Sequence, residues 1–327
     1  MRLYVLMHES FAPRYRIPQF MDFFRKRGIE TDLARLPSGI VRRWARLARA
    51  WNYDVVLLQR KLIQPWELDF LRKRSRKLVF DFDDAIMFRS SRWGNPRSGN
   101  RMRRFKRIVK ACDLVFAGNS FLKEQALRFS SEDRVFVIPT VVDLERYPMR
   151  AYGEPAEQMT MGWIGSAGTI HYVQRILPAL EEVARHFPHV CLKIVCNRFL
   201  ESPAIRIIKK QWEETEEVQD LQSFDIGIMP LTDDLWARGK CALKIVQYSA
   251  VGVPVVCSPI GMNRDIVTDG MNGFWATTNR EWMEKLGLLI EDPDLRQHMG
   301  VAGRQVVAER YSLHAVGERL VGLLSGC

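Results

Sequence analysis

The chain has 327 residues, of which 47% are hydrophobic, and its 49 Lys and Arg against 38 Asp and Glu give a net charge of +11. That length exceeds one ordinary core and suits two domains of about 150 residues each, and the mixture of apolar and charged residues argues against wholesale disorder. No segment approaches the roughly 18 consecutive apolar residues of a membrane span. The N-terminal apolar run lacks a cleavage-site pattern, so we expect a first strand there rather than a signal peptide.

The charge is unevenly distributed. Residues 1–150 carry 32 Lys and Arg against 16 Asp and Glu, a net charge of +16, whereas residues 151–327 carry −5. This asymmetry predicts that the first half faces an anionic partner, which could be nucleic acid, an anionic membrane surface or a phosphorylated substrate. The six cysteines include no C-x-x-C pair and lie mostly in apolar runs. That usage is typical of reduced, buried thiols in a cytoplasmic protein.

Short apolar runs alternate with amphipathic stretches through the first half of the chain. Several runs are continuously apolar, as in strands that are covered on both faces. The predicted strands are 3–7, 31–36, 54–58, 77–82, 113–118 and 135–139. The predicted helices are 17–27, 39–51, 66–75, 101–111 and 120–129. This rhythm predicts an N-terminal domain, residues 1–142, with an open parallel sheet between two layers of helices.

A polar stretch with two prolines, residues 143–158, is predicted to be a linker. The alternation then resumes in a second domain, residues 159–308. Its predicted strands are 159–165, 190–196, 225–230, 254–258 and 272–276, and its predicted helices are 170–187, 201–211, 241–251, 279–290 and 294–324, the last in pieces. We expect the end of the chain, residues 309–327, to be a helix that packs back on the N-terminal domain. The predicted class is α/β, with two Rossmann-like doubly wound domains facing each other across a cleft, and ligands bound beyond the carboxyl ends of the strands.

The segment 239–274 carries the strongest site pattern. Lys240 and Lys244 are four residues apart, so we predict that both lie on one helical face near the helix N-terminus and bind phosphate. Gln247, close to the same face, is suited to the hydroxyls of a ribose. After the next strand, Gly261 permits close approach of the backbone and Asp265 supplies a carboxylate. The alternative is an ordinary helix whose lysines extend to the surface.

The run QYSAVGVPVVCSPIGMNRDIVTDGMNGF (247–274) resembles the donor-binding region of retaining GT-B glycosyltransferases of family 4, the glycosyl transferases group 1. RVFVIPTVVDLERY (134–147), MGWIGSAGTIHYVQRIL (161–177) and AGNSFLKEQA (117–126) are similar to further segments of that family. The resemblance implies a GT-B fold, with a nucleotide sugar bound by the C-terminal domain and a glycan or lipid-linked acceptor bound by the N-terminal domain. It also implies hexosyl transfer with retention, without a covalent nucleophile, a cofactor or a metal, in the synthesis of cell-surface polysaccharide or glycolipid.

The chain departs from the family pattern at four positions. Gly239 and Gln247 stand where the family has two glutamates on the donor helix. Ser166 and His171 stand where it has an arginine and a lysine, in the loop that begins near Gly165 and holds the donor pyrophosphate. The predicted donor-binding residues, from the residue pattern and the resemblance together, are Gly165, Ser166, His171, Lys240, Lys244, Gln247, Gly261 and Asp265. Since a charged contact to phosphate contributes about 1.5–3 kcal/mol, we predict that Lys244 and Lys240 supply the missing charge.

Three carboxylates follow a predicted buried strand in the segment VFDFDDAIMF (79–88). Asp83 and Asp84 are the predicted catalytic residues, lining the acceptor or sugar side of the cleft. A D-x-D metal site formed with Asp81 is one alternative. A cap on a following helix is the other.

The loop after the first strand, HESFAPRYRIPQF (8–20), lacks the G-x-G-x-x-G of dinucleotide-binding enzymes, which argues against a dehydrogenase. Arg14 and Arg16 in this loop are predicted to bind an acceptor phosphate, and the alternative is a solvated loop.

The segment SGIVRRWARLARAW (38–51) combines apolar residues at helical spacing with four arginines. Such a basic, tryptophan-containing helix suits an anionic membrane interface, so we expect peripheral association at the inner face of the membrane. The alternative is that its apolar face packs on the sheet. Two alternative functions remain: a catalytically silent relative of the transferases and a basic nucleic-acid-binding protein. The sequence contains no recognised DNA- or RNA-binding motif, so we do not expect nucleic acid to be a partner.

Overall fold

The computed structural model describes residues 1–7, 15–91, 94–153 and 158–326. The chain divides into two compact units. Unit 1 comprises Met1–Val141, Asp234–Cys241 and Leu313–Cys327, and unit 2 comprises Val142–Asp233 and Ala242–Ser312. Each unit is therefore assembled from segments that are distant in sequence.

The described strands are β1 (Arg2–Met7), β2 (Glu30–Arg35), β3 (Val55–Gln59), β4 (Lys77–Phe82), β5 (Leu114–Ala117), β6 (Val135–Val137), β7 (Met159–Ile164), β8 (Val190–Val195), β9 (Ile207–Lys210), β10 (Ile226–Met229), β11 (Val255–Cys257) and β12 (Gly273–Trp275). The described α-helices are α1 (Met21–Lys26), α2 (Ile40–Ala48), α3 (Pro65–Arg74), α4 (Gly99–Ala111), α5 (Ser120–Leu127), α6 (Ile170–His186), α7 (Glu217–Gln222), α8 (Leu235–Arg238), α9 (Leu243–Ala250), α10 (Asn263–Ile266), α11 (Asn279–Glu291), α12 (Pro293–Arg310) and α13 (Leu313–Ser325). Short 3-10 helices occupy Ile17–Phe20, Arg49–Asn52 and Glu132–Arg134.

Unit 1 is built on a parallel sheet in the order β2-β1-β3-β4-β5-β6. Val5 of β1 pairs with Leu33 on one side and Leu57 on the other, so the order reverses at β1. Because crossovers between parallel strands are right-handed, the connections from β1 to β2 and from β2 to β3 run in opposite directions, and α1 and α2 lie on opposite faces of the sheet.

The core of unit 1 includes the end of the chain. Val316, Leu320 and Leu324 of α13 pack with Phe20 and Phe24, in one cluster with side chains of β1, β3 and β4. Lys77 at the start of β4 donates hydrogen bonds to the carbonyls of Leu323 and Leu324, at 2.8 and 2.9 Å. These bonds satisfy carbonyl groups that the last turn of a helix leaves without an intrahelical partner.

Unit 2 repeats the architecture, with a parallel sheet in the order β12-β11-β10-β7-β8-β9. Its core is made by β7, β8, β10 and β11 with α6 and α11, and includes the buried side chains of Trp163 and Trp282. The order reverses at β7, whose neighbours are β8 and β10. The predicted α/β class with two doubly wound parallel sheets is thus confirmed.

One predicted helix is wrong. The sequence pattern predicts a helix over residues 201–211, but Ile207–Lys210 forms β9, which pairs with β8 at the sheet edge through Leu192 and Ile207. Isoleucine is β-branched and favours strands, and two lysines protect an exposed edge from pairing with other chains, so both signals were present in the sequence. Within the described ranges, no helix is both long and apolar enough to cross a membrane.

Candidate functional site

The first group of charged residues lies at the carboxyl ends of two neighbouring strands of unit 1. Arg60 directly follows β3, and Asp83 and Asp84 follow β4. Because β3 and β4 are parallel and paired from Val55 and Lys77 to Gln59 and Asp81, their carboxyl ends meet at one edge of the sheet. The predicted location of the aspartates, beyond the end of a buried strand, is therefore confirmed.

Arg60 joins the two aspartates. Its guanidinium donates a hydrogen bond to Asp84, and its Nη1 lies 3.6 Å from Asp83 Oδ1. Arg60 also has a φ of 54°, in the left-handed region that costs a non-glycine residue energy. Its amide N–H donates to the Asp81 carbonyl at 2.7 Å, which holds the backbone against β4.

Lys240 completes this group from a distant part of the chain. Its Nζ donates to Asp84 Oδ1 at 2.9 Å. Asp84 thus accepts from an arginine and a lysine, and the two cations balance the two carboxylates. We refer to Arg60, Asp83, Asp84 and Lys240 as the carboxylate cluster.

The segment Asp234–Cys241 packs closely against the rest of unit 1. The side-chain amide of Asn119 donates to the carbonyls of Arg238 and Lys240, at 3.2 and 3.0 Å. Gly239 lies so close to Ala85 that an added Cβ would be 2.5 Å from the alanine Cβ. A side chain at position 239 has no room, so packing requires the glycine at this position.

Burial raises the pKa of Asp83, against the lowering effect of the Arg60 guanidinium. Burial acts on Arg60 in the direction of a lower pKa, but Asp83 and Asp84 outweigh it and raise the pKa of Arg60. The arginine is therefore charged, and Asp83 retains a proton more readily than an exposed aspartate. The thiol of Cys241, which donates to the Asp83 carbonyl at 3.1 Å, has a raised pKa because it is buried beside Asp83.

The prediction that Arg16 binds an acceptor phosphate is wrong. Its side chain is 2% exposed and pairs with the fully buried Asp81, and its Nη1 donates to the carbonyl of Ile138 at 2.6 Å. The guanidinium is therefore occupied inside unit 1. Asp81 is likewise committed to Arg16 and Gln59, which removes it from the D-x-D alternative. The other predicted acceptor residue, Arg14, lies outside the described residues.

The second group lies in unit 2, at the carboxyl end of β7, where the sheet order reverses. Gly165 and Ser166 follow this strand. Lys244, in the first turn of α9, has its Nζ 5.6 Å from the ring centroid of Trp163. A Cβ on Gly165 would lie 2.5 Å from the Trp163 ring and 3.0 Å from the Lys244 Cε, so a larger residue at this position would displace the tryptophan and crowd the lysine. The reversal point of a doubly wound sheet is where such domains bind ligands.

The prediction that Lys240 and Lys244 share one helical face is wrong. The helix begins at Leu243, after Ala242 in a left-handed conformation with φ of 48°, so Lys240 lies outside it. Lys240 belongs to unit 1 and Lys244 to unit 2. Sequence spacing placed the two ammonium groups together because it assumed an uninterrupted helix.

Gln247 does not face solvent. It is 3% exposed, and its amide nitrogen donates to Glu217 Oε1 at 3.0 Å and to the Tyr147 hydroxyl at 3.3 Å. Tyr147 itself donates to Glu217 at 2.8 Å, so the three side chains form a buried network within unit 2. The assignment of Gln247 to a ribose is therefore at odds with its position.

The remaining predicted donor residues are spread over unit 2. His171 lies in the first turn of α6, with its ring centroid 4.0 Å from that of Tyr172. Gly261 has a φ of 55°, the conformation for which glycine is suited, in the loop after β11. Asp265 lies on α10, where burial raises its pKa against the effect of Arg310.

Four residues of these two groups were not predicted from the sequence: Arg60, Asn119, Trp163 and Cys241. Arg60 could have been found, because it directly follows the strand next to the one that precedes Asp83. The other three carry no local signal: their roles depend on segments far apart in the chain. Among the described residues, no group of three or more His, Cys, Asp or Glu side chains is arranged to hold a metal ion.

Comparison with known proteins shows which proteins the chain resembles. Residues 204–306, which include α9 and the loop of Gly261, match the family Glycosyl transferases group 1. The predicted resemblance to the GT-B glycosyltransferases of this group is thereby confirmed. Anabaena HepE, solved in complex with UDP and glucose, superposes with a TM-score of 0.72 at 15% identity and covers 100% of both chains. Sucrose-phosphate synthase from Thermosynechococcus elongatus superposes with a TM-score of 0.75 at 14% identity, covering 99% of this chain and 98% of that one.

A curated relative is similar in sequence. This is the GDP-mannose-dependent monoacylated alpha-(1-6)-phosphatidylinositol monomannoside mannosyltransferase of Corynebacterium glutamicum, 24% identical over 233 residues. The alignment covers 64% of this chain and 61% of the relative. The solved structures, at their low identity, show the fold, and the family match shows the kinship of the segment that contains α9.

Proposed function

We propose that the protein is a glycosyltransferase that moves a hexosyl group from a nucleotide-sugar donor, bound by unit 2, to a glycan or lipid-linked acceptor bound by unit 1. The observation that carries the proposal is the position of Lys244. It lies beside Gly165 and Trp163 at the reversal point of a doubly wound sheet, on a helix inside the segment that matches the group 1 family. A cation at that point is suited to the diphosphate of the donor.

In this proposal Lys244 binds the pyrophosphate and stabilises the charge that develops on the leaving diphosphate. Lys240, predicted to share this role, is assigned instead to the carboxylate cluster because its ammonium group bonds to Asp84. Gly165, Ser166, His171, Gly261 and Asp265 stay proposed as neighbours of the donor.

Lys244→Ala should weaken donor binding by about 10- to 100-fold, the loss of one charged contact of about 1.5–3 kcal/mol. Isothermal titration with the donor, or with its nucleoside diphosphate, measures the effect. Lys209→Ala, an exposed lysine of unit 2 paired with Glu201, is the matched control and should leave affinity unchanged. Lys240→Ala should also leave it unchanged. Equal affinity of the Lys244→Ala variant and the unmodified protein would refute the assignment.

The carboxylate cluster is the proposed acceptor side of the reaction. Asp84 is fixed by two cations, and Asp83, with its raised pKa, can donate a hydrogen bond as a neutral acid or accept the proton of an acceptor hydroxyl. We propose retention by a front-face mechanism, in which the leaving diphosphate assists deprotonation of the acceptor. Product analysis by proton NMR of the new anomeric centre tests retention, and an inverted anomeric centre would contradict it.

We further propose that transfer needs neither a metal nor a cofactor, since Lys244 can supply positive charge at the diphosphate. Activity in EDTA should equal activity in buffer alone. Full loss in EDTA that manganese restores would show that a divalent ion takes part.

The proposed setting is cell-surface polysaccharide or glycolipid synthesis in the cytoplasm, peripherally at the inner face of the membrane. The five cysteines among the described residues are free and buried, as expected in a reducing compartment. The similar proteins include one named for GDP-mannose and a lipid-linked acceptor and one solved with UDP, so both bases are candidates.

A thermal-shift screen against UDP-, GDP- and ADP-sugars identifies the donor, because a ligand at 100 times its Kd stabilises the folded state by about 2.7 kcal/mol. Transfer or hydrolysis of the stabilising sugar then separates an active enzyme from a catalytically silent relative. No shift with any nucleotide sugar, together with tight binding of duplex DNA or RNA, would favour the nucleic-acid-binding alternative.

A further inference from the structure

Helix α2 carries apolar side chains that face solvent. Ile40, Val41 and Trp44 are 60, 78 and 36% exposed, while Leu47 is buried. The alternative that the apolar side of residues 39–51 packs on the sheet therefore holds for Leu47 and fails for the other three. An amphipathic helix that leaves much of its apolar stripe in water marks an interaction surface.

The exposed apolar surface continues beyond α2. Trp51, in the 3-10 helix that directly follows α2, is 66% exposed, and Trp66 at the start of α3 is 41% exposed. Trp44 stacks on Trp66 with ring centroids 5.2 Å apart, so the two helices form one continuous ridge. We call Ile40, Val41, Trp44, Trp51 and Trp66 the apolar ridge.

A basic groove adjoins the ridge. A cavity of about 390 Å³ is lined by Arg35, Pro37, Arg42, Ala45 and Arg46. Arg35 ends β2, while Arg42 and Arg46 lie one turn apart on α2. Among the described residues none of these three guanidinium groups has a carboxylate partner, and each arginine is exposed.

Two neighbouring arginines, in contrast, form ion pairs that stabilise unit 1. Arg43 on the same helix bonds to the buried Glu67, and Arg49 lies 3.3 Å from Asp32. Those two are neutralised within unit 1, whereas the three groove arginines form no ion pair with any carboxylate in the described part of the chain. The groove thus brings three guanidinium groups together, which suits a phosphate group because guanidinium binds phosphate through paired N–H donors.

We propose that the ridge and the groove together dock the protein on an anionic phospholipid bilayer. The groove receives a lipid phosphate headgroup, and the ridge enters the interfacial layer, where tryptophan is favoured at the boundary between water and hydrocarbon. The charge and the apolar side chains lie side by side, as the polar and apolar layers of a lipid surface do. The surface uses no residue proposed for the donor or acceptor, so its test stands apart from that of the transferase activity.

Co-sedimentation with vesicles tests the proposal. The full chain should bind phosphatidylcholine vesicles that contain phosphatidylglycerol and bind pure phosphatidylcholine weakly. Since each basic residue near an anionic surface contributes about a factor of five to binding, Arg42→Gln/Arg46→Gln should lower partitioning by about 30-fold. The control Arg25→Gln/Lys26→Gln makes the same charge change on α1, which lies on the opposite face of the sheet, and should have little effect.

The ridge is tested separately by Ile40→Ser/Val41→Ser, which should lower partitioning by about tenfold because apolar surface no longer leaves water. Both sites are exposed, so the thermal unfolding midpoint of each variant should match that of the unmodified protein. Inorganic phosphate at constant ionic strength should not release the bound protein, since it offers nothing to the ridge.

Three results would overturn the proposal. The first two are equal binding to vesicles with and without phosphatidylglycerol, and an equal loss of vesicle binding in the groove variant and in its control. The third is release of the bound protein by inorganic phosphate, which would show that the groove is a site for free anions. Binding to duplex DNA that outcompetes vesicles and depends on the same arginines would assign the surface to nucleic acid instead.

Discussion

In the carboxylate cluster, burial and a neighbouring positive charge shift the pKa of the same side chain in opposite directions. Asp83 lies beside Asp84 and within 3.6 Å of the Arg60 guanidinium, yet burial still raises its pKa above the ordinary value of 3.8. A group whose pKa is raised on folding binds its proton more tightly in the folded state. Its contribution to stability is complete below pH 3.8 and is lost as the pH rises through the raised value. The ionised form at neutral pH therefore opposes folding.

Replacing Asp83 with asparagine tests this balance. Asp83→Asn removes the ionisation and keeps the shape, so its thermal unfolding midpoint should exceed that of the unmodified protein at neutral pH. The difference should shrink as the pH falls through the raised pKa and vanish below 3.8, where the aspartate is protonated in both the folded and the unfolded state. Transfer activity should fall by about 100-fold or more, the usual contribution of a group that exchanges a proton with substrate.

Asp69→Asn is the matched control, since Asp69 is 59% exposed and pairs with Arg107 at the surface. It should change stability by less than about 0.5 kcal/mol and leave activity intact. A lower midpoint for Asp83→Asn at neutral pH would mean that the ion pair with Arg60 outweighs desolvation. Full activity in that variant would remove Asp83 from the reaction.

The segment Asp234–Cys241 completes the carboxylate cluster, because it packs closely enough on the rest of unit 1 for Lys240 to reach Asp84. Cys241 packs against Gly118, the first residue after β5. A Cβ at position 118 would overlap the Cys241 sulfur and lie 3.0 Å from the Asp83 Cα. The Gly118 amide also donates to the Phe82 carbonyl at 2.9 Å, so the backbone has little freedom to withdraw. The absence of a side chain at one residue thus lets the segment that carries Lys240 reach the aspartates.

Gly118→Ala should destabilise the protein by about 1–3 kcal/mol, the usual cost of overpacking, measured by urea unfolding followed through unit 1. Adding Cys241→Ala should restore part of the loss because it removes the sulfur that the new methyl group meets. Gly99→Ala is the control: nothing lies within 4 Å of its Cβ position, at the start of α4. Equal stability of Gly118→Ala and the control would show that the segment moves aside freely.

Over the whole molecule, the order of the chain does not follow the order of the units. The chain leaves unit 1 after Val141, returns to it for Asp234–Cys241, and ends in it with α13. Unit 1 is therefore complete only when the last residues are in place, since Val316, Leu320 and Leu324 belong to its core.

Leu320→Ala tests this interleaving. The buried leucine contributes to the core of unit 1, so its truncation should cost about 2–5 kcal/mol. Amide hydrogens of β1 and β3, which are hundreds of residues away in sequence, should exchange faster, and protection should be unchanged in α12, which ends at Arg310 and is much nearer in sequence. Leu288→Ala, at a side chain 46% exposed on α11, is the control. Loss of protection in α12 rather than in β1 would contradict the division into units.

The repeated strands and helices were predictable because their signals are local. A continuously apolar run such as 54–58 indicates a strand covered on both faces, and β3 and β4 were found in this way. The prediction for 201–211 was wrong because a short edge strand with lysines mimics an amphipathic helix. The position of Asp83 and Asp84 followed from strand direction alone, since parallel strands present their carboxyl ends at one edge.

The sequence by itself determined the fold class, the family of the segment around α9, and the uneven charge of the two halves, because each follows from local pattern or composition. Only the tertiary structure separated Lys240 from Lys244, buried Arg16 with Asp81, enclosed Gln247 with Tyr147 and Glu217, and left the apolar side of α2 in water. Those outcomes depend on which distant segments meet. A charged or apolar side chain looks the same in the sequence whether its partner is solvent, a lipid, a ligand or a residue a hundred positions away.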